Sequence, residues 1–215
     1  MGILIKQSLP TLLSGLKVTL EIAVAALIIA TIIGLIVGLV NISNNKILKV
    51  IAIIYIDIIR GTPLIVQAFF IYFALPSVLN FKINPLPAGI IAISLNAGAY
   101  MAEIFRGGIM SIDKGQTEAA RSLGLSYAQA MRKVILPQAV RRMIPALINQ
   151  FIISLKDTSI LSVIGLQELT QSGEIIIAST FRSFQIWTIV GLMYLVIVMI
   201  ISNLSRRLER RLKVC

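Results

Sequence analysis

The chain alternates long uncharged apolar runs with short polar segments. Residues 22–40 carry no charge and only Thr31 as a polar interruption, between Glu21 and the stop signal Asn41-Ile42-Ser43-Asn44-Asn45. A helix rising about 1.5 Å per residue needs roughly 20 residues to cross a bilayer, so this run predicts a first membrane span. A signal peptide would be shorter and end in a small-residue cleavage site, which is absent around 38–43, so the segment is expected to be retained. Residues 50–75 form a second run, broken by Asp57, Arg60 and Gly61-Thr62-Pro63. Pro63 cannot donate to the carbonyl of Ile59, and the spacing predicts a kink or a local unwinding there. Residues 88–105 are rich in Ala and Gly and predict a third span able to approach its neighbours closely. Residues 143–165 are apolar but contain Pro145, Asn149, Gln150 and Lys156-Asp157, so one side of this fourth span must face protein or water. Residues 186–204, with Trp187 and Tyr194, predict a clean fifth span. The external polar loop 166–185 is too polar to cross, and 167–178 predict a short interfacial helix. The pattern is that of a single domain over 1–215, an all-α integral membrane protein with about five transmembrane helices.

Composition sharpens this picture. Hydrophobic residues are 57% of the 215 and charged residues 13%, against about 45–50% and about 25% in soluble domains. The formal charge of +11 would suggest nucleic acid in a polar protein, but here it falls in loops. Two basic residues lie at Lys46 and Lys49, seven between Arg106 and Arg142, and five in the tail from Arg206; the alternate loops hold only Lys6, Lys17, Lys82 and Arg182. The positive-inside rule then puts the N-terminus outside and the C-terminus in the cytoplasm of a multi-pass cell-membrane protein. There is no His, and the one cysteine is Cys215. Disulfide frameworks, Cys/His metal sites and His-assisted nucleophilic catalysis are therefore excluded, and neither a catalytic nor a metal site is expected.

The basic loop 106–142 carries the most local signals. Asp113 with Gln116 resembles an N-cap, Gly124 suits a helix stop, Ser126 with Gln129 repeats a capping box, and Pro137 closes the second segment. Two short helices joined by a Gly turn are predicted. Read alone they are a solvated connector or a helix-turn-helix, and tight tethering between two spans argues against a nucleic-acid partner.

Glu118-Ala119-Ala120, Gly124 and Val134-Ile135-Leu136-Pro137 resemble the EAA motif of bacterial ABC-importer permeases, E-A-A-x₃-G-x₉-I-x-L-P, with Val134 the one departure. Arg60-Gly61-Thr62-Pro63-Leu64 and Lys156-Asp157-Thr158-Ser159 resemble segments of the polar amino-acid branch of that family, the histidine/glutamine/arginine type. The resemblance covers about 11–211. It implies a type I importer fold, a second permease subunit forming a dimer, two ABC ATPase subunits, an external solute-binding protein and an amino-acid substrate. It also implies that Glu118, Ala119, Ala120, Arg121, Gly124 and Tyr127 form the helix through which the ATPase drives the membrane domain. The sequence contains no G-x-x-x-x-G-K-[ST], so ATP is expected to be bound and hydrolysed by the partner subunits, with no cofactor here.

Ionisable groups inside a membrane are functional candidates by default. Asn96, Tyr100 and Glu103 recur at i, i+4 and i+7 and share one helical face. Arg60 is a further candidate, although Asp57 at i−3 is expected to neutralise it. Lys156, Asp157, Thr158 and Ser159 need separate partners or a polar cavity, and Gln67 and Gln150 are secondary candidates. A cavity with both charge signs and amides suits an amino acid. If Asp57 pairs with Arg60, then Glu103 and Asp157 are left over, which favours a basic substrate such as arginine, lysine or histidine; pairing of Glu103 with Arg106 at i+3 is the alternative that would weaken this. Glutamine or glutamate is the alternative substrate, and a self-sufficient secondary transporter or channel the alternative class.

Overall fold

A computed structural model describes the backbone of residues 2–212 and the side chains of residues 6–207. The expectations for the side chains of Arg210, Arg211, Lys213 and Cys215 lie outside the described residues. Among the described residues four helices are long and apolar enough to cross a membrane, over Lys6–Asn41, Pro85–Met110, Tyr127–Ile164 and Ser183–Arg207. The fifth crossing is a pair, Lys46–Arg60 and Leu64–Leu79, bent by 102°.

Helix α1 (Gly2–Asn41) starts well before the predicted boundary. Glu21, which suggested that boundary, forms an exposed i,i+4 pair with Lys17 at 3.7 Å, while Leu12 and Thr19 on the same helix are fully buried. The element that buries them is α9 (Leu169–Thr180), predicted as an interfacial helix. It instead sits within the bundle, its Leu169 and Ile176 clustering with Leu12, Ile186 and Val190 of α1 and α10 (Ser183–Leu212). Along its second half α1 packs against α5 (Pro85–Met110). A Cβ on Gly34 would lie 2.6 Å from the Met101 Cβ and 3.1 Å from the Ala102 amide nitrogen, so the contact requires small residues.

Helix α2 (Lys46–Arg60) stops at the expected break. The chain resumes as α3 (Leu64–Phe69), a π turn over Phe70–Ala74, and α4 (Leu75–Leu79). A second π turn, Met131–Ile135, separates α7 (Tyr127–Ala130) from α8 (Leu136–Asp157). In the first case the Leu75 amide donates to the Phe70 carbonyl and Pro76 follows; in the second the Leu136 amide donates to the Met131 carbonyl and Pro137 follows. The widened turn absorbs a residue that has no N–H and whose ring would clash one turn back. Contrary to the sequence expectation, Pro137 therefore does not close its helix; the helical path runs on from Tyr127 to Ile164.

Candidate transport cavity and coupling surface

Because Pro63 has no amide proton, the Ile59 carbonyl lacks its helical donor. The Gln67 side chain supplies one: Nε2 donates to the Ile59 carbonyl at 2.7 Å and is shared with the Thr62 carbonyl at 3.1 Å and the Thr62 hydroxyl at 2.9 Å. Its Oε1 accepts from the Asn96 amide at 3.1 Å, which ties the broken helix to α5. A cavity of about 560 Å³ opens at this break. Arg60, Gly61, Thr62, Pro63 and Leu64 form one wall, Asn96 and Tyr100 of α5 a second, and Gln150, Ile153 and Asp157 of α8 a third. Arg60 lies over the Tyr100 ring, 5.2 Å from its centroid. Asp157 is partly buried and makes no ion pair among the described residues.

Arg60, Asn96, Tyr100 and Asp157 are thus brought together as expected, while other candidates fall elsewhere. Asp57 does not neutralise Arg60, whose guanidinium lies 3.8 Å from Glu103. Glu103 is not left over either: Arg106 donates to both carboxylate oxygens at 2.9 and 2.8 Å, and the Asn41 amide donates at 3.3 Å. It does not line the cavity. Lys156, Thr158 and Ser159 do not line the cavity. Their position at the helix end directs the hydroxyls to local carbonyls, Thr158 to Leu155 at 2.8 Å and Ser159 to Lys156 at 2.7 Å. Gly61, Thr62, Pro63, Leu64 and Ile153 were not singled out as site residues. The signal that finds the first four is the helix break itself, since irregular backbone at membrane depth is tolerated where it lines a cavity.

The loop at the basic end folds locally. The Asp113 carboxylate accepts from the Gly115 amide at 2.7 Å and starts α6 (Lys114–Ser122). Gly124 ends it at φ +83°, a conformation that favours glycine. Ser126 and Gln129 form a reciprocal capping box that opens α7. Glu118, Ala119, Arg121, Gly124 and Tyr127 are exposed, whereas Ala120 is turned inward. Leu123, not singled out in the sequence, is 84% exposed.

Glu168, also unforeseen, is fully buried. Its carboxylate accepts from the Gln171 amide at 2.8 Å, the Tyr194 hydroxyl at 2.8 Å and the Thr19 hydroxyl at 3.4 Å, joining α1, α9 and α10. Burial pushes its carboxyl above the usual range, against the opposing pull of these donors and the Thr170 amide.

Five helical crossings, a broken second span beside a two-signed cavity, and a capped helical pair at the basic end define a membrane permease subunit rather than an enzyme. The chain belongs to the family of binding-protein-dependent transport system inner membrane components, which matches residues 30–214. It is 48% identical over 208 residues to the glutamine transport system permease protein GlnP of Escherichia coli (strain K12), covering 96% of this chain and 95% of that one. It is 40% identical over 205 residues to the arginine transport system permease protein ArtQ of Bacillus subtilis (strain 168), covering 95% and 94%. Among solved structures, an amino acid ABC transporter with histidines matches with a TM-score of 0.92 at 42% identity, over 96% of each chain. The inward-facing MetNI methionine ABC transporter matches in fold, with a TM-score of 0.80 at 23% identity, over 95% of this chain and 97% of that one. The protein is a multi-pass inner-membrane ABC-importer permease.

Proposed function

We propose that this permease imports a polar amino acid by alternating access, with the cavity at the α2–α3 break as its binding site. The observation that carries the reading is that Arg60 and Asp157 face one cavity with the Asn96 and Gln150 amides and the Tyr100 ring. A guanidinium suits an α-carboxylate, a carboxylate suits an α-ammonium, and side-chain amides suit a neutral polar group. Glutamine is the favoured substrate, supported by the 48% identity to GlnP and by the pairing of Glu103, which removes one of the two carboxylates that argued for a basic side chain. Arginine is the second reading, supported by Asp157 and by the similarity to ArtQ.

Energy enters through the exposed turn Glu118–Tyr127, which docks on one of two ATPase subunits. A second, identical or similar permease completes the pathway, and an external solute-binding protein delivers the substrate. Lipid surrounds the apolar outer helices. The test is competition uptake in proteoliposomes of the complete complex with ATP inside: unlabelled glutamine should displace labelled substrate more effectively than arginine. Uptake driven by an ion gradient without the ATPase would overturn the importer mechanism.

A further inference from the structure

Lys49, Ile53 and Arg60 recur on one face of α2, and Tyr100, Glu103, Arg106 and Met110 on one face of α5. Beyond the transport cavity these two faces border a second space of about 490 Å³, walled by Asn41, Lys49, Ile53, Glu103, Arg106 and Met110. It lies toward the helix ends that the charge bias places in the cytoplasm. The two spaces share no lining residue. Between them stands Arg60, which lines the first, and Glu103, which lines the second, 3.8 Å apart. The same guanidinium rests on the Tyr100 ring.

We propose that Arg60 is a latch between the transport cavity and this vestibule, and that its release opens the cytoplasmic exit for the amino acid. This rests on the cavity being the substrate site. Arg60 is the last residue of α2, directly before the unwound Gly61-Thr62-Pro63, so a change in the 102° bend moves its guanidinium relative to α5. Glu103 keeps Arg106 and Asn41 when Arg60 leaves. Release therefore strands no carboxylate, and the contact given up is a part-exposed pair and one ring contact, weak enough to be reversible. Lys49 and Arg106 outnumber Glu103 in the vestibule, which favours entry of the substrate carboxylate.

The test uses the assembled complex in inside-out proteoliposomes, with Cys215→Ser as background and single cysteines at Ile153→Cys in the cavity or Ile53→Cys in the vestibule. The impermeant probe is a quaternary-ammonium methanethiosulfonate applied from the cytoplasmic side without ATP. Arg60→Met should raise the modification rate at 153 about tenfold, the factor given by about 1.4 kcal/mol, and leave that at 53 unchanged. Arg60→Lys should restore slow modification. Tyr100→Leu, which keeps the ion pair, should give a smaller rise and carries the test if Arg60→Met does not assemble. If glutamine or arginine protects 153 but neither Arg60→Met nor Tyr100→Leu changes its rate, the latch is overturned and the cavity stands. If neither amino acid protects 153, the cavity reading fails and the latch falls with it.

Discussion

Replacing Gln67 by Met tests whether one side-chain amide holds the helix break in place. The substitution keeps length and apolar volume but removes every side-chain hydrogen bond that Gln67 makes. The Ile59 carbonyl then has no donor, because Pro63 offers none, and the Asn96 amide loses its acceptor at 3.1 Å. Gln67 is only 9% exposed and Asn96 8%, so water does not readily replace these partners. The Thr62 carbonyl is exempt because Thr62 is exposed. At about 1–3 kcal/mol for each stranded buried group, two such groups destabilise the protein by about 2–6 kcal/mol. Gln67→Glu should be at least as harmful, since an ionised carboxylate only accepts and would face two carbonyl oxygens. The assay is reversible SDS unfolding of the purified permease, alongside ATP-driven uptake, which should fall as the cavity wall loosens. A Gln67→Met protein within about 0.5 kcal/mol of the parent, the range of ordinary surface changes, would refute the account.

Gly124→Asp forces a side chain into φ +83° and Glu118→Lys reverses an exposed charge; both should leave the permease inserted but reduce ATPase co-purification, and full recovery of the complex would contradict the docking assignment. Gly34→Leu brings a side chain against Met101 and the α5 backbone and should cost about 1–3 kcal/mol by overpacking, read in the same SDS titration. Glu168→Ala removes the acceptor shared by the Thr19 and Tyr194 hydroxyls and the Gln171 amide and should destabilise by about 1–3 kcal/mol, whereas Glu168→Gln, which can still accept, should recover most of it. Because burial raises the Glu168 pKa, its protonation-linked stability is fully present below the unfolded value of about 4.3 and is lost as pH rises through the folded value. A pH titration of unfolding with opposite slope would refute that environment.

Local and composition-driven features were legible in the chain. The apolar runs place five crossings because bilayer thickness sets a length that no soluble element needs. Asp113, Gly124, Ser126 and Gln129 act within a turn of themselves, so their spacing predicted the caps that the structure contains. The break at Pro63 was legible for the same reason: a missing N–H is a local fact.

Only the tertiary structure decided who compensates that missing donor, because Gln67 is eight residues from Ile59 and its acceptor side faces another helix. It also decided the ion pairs. Asp57 and Arg60 are correctly spaced on one helix, but packing brings Glu103 to Arg60, and a charge count cannot tell which carboxylate arrives. Pro137 read as a stop because a sequence does not show that a π turn will absorb its ring. The burial of α9 and Glu168 was equally hidden, since a polar loop that crosses nothing becomes interior only when α1 and α10 close around it.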